Sequence, residues 1–129
     1  MKKVLTIPSI MALALAFMLA GCGKTTPTTT GGGNTVTMAS VNFATTSLTV
    51  KAGDSVKFDD PSGGGAYHVL CFGKDEKCAA NADGPAELNA SGGVIFNAGD
   101  SHSYTFAKAG TYEVTCTVHP NMNVTITVQ

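Results

Sequence analysis

The 129-residue chain contains no arginine, and its eight lysines face nine aspartates and glutamates. The lysines form no basic stripe and do not interleave with aromatic residues, which are the usual marks of a surface that binds phosphate backbones. This absence argues against nucleic acid as a partner. The chain also lacks any segment with apolar residues at helical spacing, so the pattern does not favour a helical domain.

The N-terminus has the composition of a secretory leader. Met1–Lys3 is positively charged, and Val4–Ala20 is almost wholly apolar but too short and wrongly flanked for a membrane span. The run ends in LAGC, Leu19–Cys22, which resembles the lipobox of bacterial lipoproteins. An ordinary secretory leader with a chance cysteine is the alternative. The resemblance implies a lipoprotein signal peptide over residues 1–21 and a lipid group on Cys22.

Behind the leader, residues 22–35 are rich in threonine and glycine and carry a single charge. Such a composition cannot build a core and predicts a flexible tether. Residues 36–129 have the size of one small domain. We expect this domain to be a monomer, anchored by lipid to a bacterial membrane on its extracytoplasmic side, either the periplasmic side or the cell surface.

Apolar and polar residues alternate through most of the predicted domain. Val41 and Phe43 share one face by this alternation, as do Val124 and Ile126. A period of two predicts strands with one buried face, and turns that contain glycine, proline and aspartate separate them. The pattern predicts an all-β fold, an antiparallel Greek-key β-sandwich of seven or eight strands. Only residues 79–91 are compatible with a short helical turn.

The segment CTVHPNM, Cys116–Met122, carries three metal-binding side chains between two such strands. Cys116 has the parity of the apolar residues before it, and Met122 has the parity of those after it. Both sulfur atoms should therefore point into the sandwich. His119 lies in the middle of the connection, which Pro120 stiffens. The pattern predicts that a thiolate, an imidazole and a thioether converge at one end of the sandwich.

A fourth ligand has to come from elsewhere, and the chain has only three histidines. His68 follows a glycine-rich turn and shares the parity of Leu70 and Phe72, which places it at the core-facing end of a strand. His102 also begins a strand, but it has no neighbouring residue of matching chemistry, and we expect it to be partly exposed. His68 is therefore the predicted fourth ligand.

Two imidazoles, one thiolate and a weakly bound thioether form the ligand set of a mononuclear blue copper site. Thiolate and thioether favour Cu(I), and imidazole binds Cu(II) well, so a rigid frame that contains both suits an ion that exchanges one electron. Zinc is the alternative, but its protein sites seldom use methionine, and this set offers no carboxylate or second thiolate. The predicted cofactor is one copper ion, cycling between Cu(I) and Cu(II).

Residues 41–129 resemble a small cupredoxin of the plastocyanin and amicyanin kind. The resemblance lies in VKAGDSVKF, in FNAGDSHSYTFAKAGTYEVTC and above all in C-T-x-H-P-x-M, whose short spacing is amicyanin-like. It implies that the copper ligands are His68, Cys116, His119 and Met122.

Two residues beside the ligands are interpreted through the same resemblance. Thr117 matches the polar residue that usually follows the cysteine and braces the ligand loop. Val69 stands where the family commonly has an asparagine after the first histidine. This departure implies that a side-chain brace between the two ligand-bearing loops is lost or replaced, a change that shifts potential and affinity more than it abolishes binding.

With Cys22 assigned to lipid and Cys116 to copper, Cys71 and Cys78 remain as an even pair in an oxidising compartment. Their spacing predicts a disulfide that closes a small loop. A second metal site or a redox-active pair is the alternative. The pair lies in residues 71–93, a long segment that is a further departure from the family.

The predicted function is that of a one-electron carrier at the outer face of a membrane. Electrons would pass to and from redox partner proteins at the edge formed by His119 and Pro120, and since no substrate is transformed, an enzyme is not expected. A copper chaperone or store that supplies an extracytoplasmic oxidase would use the same ligands and is the alternative. Two other interpretations are a domain that no longer binds metal and a cysteine enzyme using Cys116, His119 and Asn121, whose inward thiol would be badly placed for a substrate.

Overall fold

The computed structural model describes residues 33–63 and 66–129. The predicted signal peptide (residues 1–21), the predicted lipidation site Cys22 and most of the predicted tether lie outside the described residues. Within these two ranges, no helix has the length and apolar character needed to cross a bilayer.

The described residues form nine β-strands and one short 3₁₀ helix. The strands are β1 (Thr35–Thr37), β2 (Ser47–Val50), β3 (Ser55–Asp59), β4 (His68–Lys74), β5 (Lys77–Cys78), β6 (Val94–Phe96), β7 (Ser101–Thr105), β8 (Gly110–Cys116) and β9 (Asn123–Val128). The 3₁₀ helix, Ala86–Asn89, lies in the segment that was compatible with a helical turn. The all-β fold class is confirmed. The count exceeds the expected seven or eight because strands of two or three residues, such as β5 and β6, are too short to show alternation.

The strands form two sheets. One has the order β1-β3-β7, and the other has the order β2-β9-β8-β4-β5, with β6 also paired to β4. Most neighbours are antiparallel as predicted, but β1 runs parallel to β3 and β2 runs parallel to β9. Neither of these two pairs is consecutive in the chain, so no hairpin turn dictates an antiparallel direction.

The apolar core contains residues from both sheets. Val124 and Ile126 of β9 are at most 1% exposed, as their alternation predicts. The prediction that Val41 shares the buried face of Phe43 is wrong, since Phe43 is buried and Val41 is 60% exposed. The reason is that this segment is not a strand: Phe43 makes only an isolated bridge to Met38.

The hairpin of β4 and β5 carries the two cysteines of the predicted disulfide. Cys71 and Cys78 are bonded in the structure, with their Cα atoms 5.6 Å apart. The two turn residues, Asp75 and Glu76, have φ angles of 50° and 65°. Positive φ at both positions is the type I′ geometry that a two-residue hairpin favours. The covalent link thus closes a tight turn at the end of β4.

We expect Cys71 and Cys78 to resist alkylation in denaturant until a reductant is added, because a disulfide leaves no thiol to react. Peptide mapping by mass spectrometry should place one label on each of these residues only after reduction. A Cys116→Ser variant serves as the control, since it removes the one free thiol of the described residues. A label on either residue without reductant would contradict the pairing.

Candidate metal centre

Two strand ends and one strand beginning meet at one end of the six-stranded sheet. β4 begins at His68 and β8 ends at Cys116. Leu70 pairs with Cys116 in an antiparallel register, so His68, two residues earlier, lies beside the chain that follows Cys116. β9 begins directly after Met122, which returns the chain to the same end. The topology therefore brings the distant His68 to the CTVHPNM segment.

The donor atoms of three predicted ligands face one another. Cys116 Sγ is 3.9 Å from His68 Nδ1 and 3.6 Å from His119 Nδ1, and the three donor atoms all lie within 4.8 Å of one another. Zinc, taken as a gauge for a first-row metal ion, binds imidazole nitrogen at about 2.0 Å and thiolate sulfur at about 2.3 Å, which sets donors roughly 3–4 Å apart. The cluster therefore has the size of a site for a single metal ion.

The cluster is shielded from water on all but one side. His68, Cys116 and Met122 are each 0% exposed, whereas His119 is partly exposed. Burial lowers the pKa of His68, and a charge on His119 lowers it further, while the charge on Asp60 acts in the opposite direction. The lowered pKa favours the neutral imidazole, which is the form that binds metal ions.

A tight turn shapes the ligand loop. Met122 N–H donates to His119 O at 3.4 Å, and Asn121 has a φ of 59°. Proline at the second position and positive φ at the third are the features of a type II turn, in which asparagine is tolerated at the third position. Cys116 N–H in turn donates to Met122 O at 3.0 Å, which closes the base of the loop. This geometry accounts for Pro120 and Asn121 without a catalytic role.

A backbone hydrogen bond joins the two ligand-bearing segments. Thr117 N–H donates to Val69 O at 2.9 Å. The residue after Cys116 is therefore tied to the residue after His68. The brace that the sequence led us to expect as lost or replaced at Val69 is present here as a main-chain contact, which needs no asparagine side chain.

The disulfide-closed hairpin supports the base of the ligand loop. Glu76 N–H donates to the hydroxyl of Thr115 at 3.1 Å, and this hydroxyl lies 3.4 Å from Met122 O as its donor. Asp75 and Asn123 exchange two hydrogen bonds of 2.9 and 2.8 Å. The turn of the hairpin thus contacts the residues on either side of the ligand loop, which the sequence analysis did not anticipate.

Two further polar residues lie near this region of the fold. His102 of β7 is exposed, and its ring packs against Phe96 with centroids 4.8 Å apart, apart from the three-donor cluster. Asp60 was missed by the sequence analysis and is only 1% exposed. The available signal was its parity with Val56 and Phe58, which directs its carboxylate inward.

Comparison with known proteins assigns the chain. The family model of copper-binding proteins of the plastocyanin/azurin family matches residues 31–129. The chain belongs to this family. The match confirms the resemblance that the C-T-x-H-P-x-M segment carries, and a search of curated proteins finds no match.

Solved structures of amicyanin resemble the fold of this family member. An amicyanin variant in its reduced Cu(I) form at pH 4 is 28% identical, with a TM-score of 0.57, covering 77% of this chain and 84% of that chain. A second variant in the reduced state is 27% identical, with a TM-score of 0.56 and coverage of 76% and 83%. Amicyanin from Paracoccus versutus, at 24% identity, TM-score 0.55 and coverage of 74% and 79%, shows the likeness of fold.

Membership of the plastocyanin/azurin family agrees with the predicted cofactor, one copper ion. The donor chemistry fits this ion, since a thiolate and two imidazoles lie together around one point. A buried methionine ends the loop that carries two of them. A mixed sulfur and nitrogen set of this kind is the one that copper prefers.

We expect Thr115→Val to lower the free energy of unfolding of the metal-free protein by about 1–2 kcal/mol, because the half-buried Glu76 N–H loses its acceptor. Chemical denaturation followed by circular dichroism measures the change. Thr127→Val is the matched control, since the Thr127 hydroxyl makes no side-chain hydrogen bond among the described residues. Equal stability of the two variants would contradict the supporting role of the hairpin.

Proposed function

We propose that this protein is a type 1 (blue) copper protein that carries single electrons at the outer face of a membrane. The observation that carries the proposal is the cluster of His68, Cys116 and His119, whose donor atoms lie within 4.8 Å of one another. Two of these residues are fully buried and the third reaches the surface. A buried redox centre with one exposed ligand suits electron transfer better than it suits a reaction on a bound substrate.

Four residues have distinct roles in this site. His68 and His119 offer Nδ1 and Cys116 offers Sγ as the three strong donors, and Met122 offers a weak thioether. A copper ion held there supplies the one-electron couple between Cu(I) and Cu(II). The hydrogen-bonded ligand loop holds the donors in one arrangement for both oxidation states. A rigid donor set needs little rearrangement, which favours fast electron exchange.

The surface around His119 is the proposed edge for electron entry and exit. His119 is partly exposed, and its neighbours Val118 and Pro120 are exposed, with Val118 at 43%. An apolar rim allows a redox partner protein to approach closely without stripping charged groups of water. The imidazole then provides the shortest route between the buried thiolate of Cys116 and a partner.

Addition of Cu(II) to the purified protein should produce an intense visible absorption band, because a thiolate bound to Cu(II) transfers charge to the metal. Cys116→Ser should abolish this band, and electron paramagnetic resonance should report the altered site. His102→Ala is the control and should retain the band, since this histidine lies outside the cluster. A correctly folded protein that stays colourless with Cu(II) would overturn the proposal.

The same preparation separates a carrier from a copper-delivery protein. We expect a reversible reduction potential and fast electron self-exchange between oxidised and reduced protein. Slow self-exchange together with ready transfer of copper to a metal-free partner would instead identify a chaperone or store.

The proposed extracytoplasmic location depends on Cys22. In cells given a radioactive fatty acid, we expect the wild-type protein to become labelled and to sediment with membranes, because a lipid on Cys22 anchors it. Cys22→Ser should be unlabelled and absent from the membrane fraction. Cys116→Ser is the matched control and should remain labelled. Equal labelling of the two serine variants would exclude Cys22 as the modified residue.

A further inference from the structure

Two buried polar side chains beside the copper site have hydrogen-bonding atoms without partners. Asp60 is 1% exposed, and neither of its carboxylate oxygens has a partner among the described residues. His68 is 0% exposed, and its Nε2 has no partner within the same part of the chain. Buried polar groups in native proteins are almost always satisfied, because an unpaired one costs about 1–3 kcal/mol. Three unpaired atoms on two residues therefore call for an explanation.

The fold holds the Asp60 backbone in place. Asp60 follows the last residue of β3, and its inward parity continues that of Val56 and Phe58. Asp60 N–H donates to Asp100 O at 2.9 Å, and Gly99 N–H donates to Asp60 O at 2.7 Å. These two bonds anchor the residue between β3 and the turn before β7. The burial of the carboxylate is thus built into the fold and is not a choice of surface rotamer.

The charges of Asp60 and His68 act on each other. Burial raises the pKa of Asp60, and the nearby charges of Asp100 and Asp59 raise it further, whereas His68 lowers it. Asp59 is paired with Lys57 at 2.8 Å, and the Asp100 carboxylate accepts from Asn97 N–H. Among the groups that influence Asp60, His68 is the one that favours its ionised form.

The tautomer of His68 explains why a carboxylate is useful at this position. His68 Nδ1 faces the Cys116 sulfur at 3.9 Å and has to be unprotonated to bind a metal ion. The proton of the neutral ring then resides on Nε2, which becomes a donor that needs an acceptor. A histidine that binds a metal commonly donates its other N–H to a carboxylate, a carbonyl or a water molecule, which fixes the ring and strengthens it as a ligand.

We propose that Asp60 is a positioning residue for the copper site, its carboxylate accepting the hydrogen bond of His68 Nε2–H through one buried water molecule. The two side chains make no direct hydrogen bond, and a water molecule between them would have the two or more polar partners that buried water requires. Asp60 thereby directs Nδ1 toward the metal and places a negative charge behind the ligand. This inference rests on the proposed copper function.

The reduction potential tests this role. Asp60→Asn keeps the shape of the side chain and removes its charge, so it should weaken Cu(II) binding relative to Cu(I) by about tenfold, the lower end of the losses seen when such outer partners of a metal ligand are changed. A tenfold change in this ratio raises a one-electron potential by about 59 mV. Asp59→Asn removes a neighbouring charge that is partly exposed and paired with Lys57, and should leave the potential close to that of the wild type.

Equal potentials in Asp60→Asn and Asp59→Asn would overturn the proposal. If the charge-transfer band forms in the wild type and in both variants, that outcome leaves the copper function standing. A wild type that forms no band would instead overturn the copper function itself.

A measurement on the wild type keeps the proposal testable even if Asp60→Asn does not fold. Nitrogen-15 NMR of the metal-free protein should show His68 protonated on Nε2, with a slowly exchanging proton that shows a cross-relaxation signal to bound water. Protonation on Nδ1, or fast exchange of the Nε2 proton with solvent, would contradict the proposed link to Asp60.

Discussion

The antiparallel register of β4 against β8 is the constraint on which the metal centre depends. It pairs Leu70 with Cys116 and so brings His68, from the middle of the chain, beside the loop that carries His119. Because side chains alternate along a strand, a slip of one residue would turn His68 or Cys116 to the opposite face. The same slip would expose the apolar residues of the core. The energy that packs the two sheets therefore also holds the ligands together.

Short backbone contacts convert this register into a rigid ligand loop. The turn at Pro120 and Asn121, the bond from Thr117 to Val69 and the contacts of the β4–β5 hairpin all act within a few residues of a donor atom. Each is worth about 1 kcal/mol or so by itself. Together they limit the arrangements open to the loop. The hairpin that contains Cys71 and Cys78 is thus linked to the site through hydrogen bonds of its turn.

Much of the site could be predicted because its signals are local. Alternation places Cys116 and Met122 on the inner face, and both are fully buried. The error at Val41 has the opposite cause, since two apolar residues do not make a strand unless a neighbouring strand pairs with them. The parallel pairing of β2 with β9 was also unpredictable, because it joins segments from opposite ends of the domain.

The sequence by itself determined the fold class, the family and the chemistry of the ligand loop, since alternation and the C-T-x-H-P-x-M spacing are properties of neighbouring residues. Only the tertiary structure decided which partners these residues meet. The support of Thr115 by Glu76 and the burial of Asp60 near His68 depend on contacts between separate strands. Parity along a strand records the face that a side chain takes, but it does not record the residue that packs against that face.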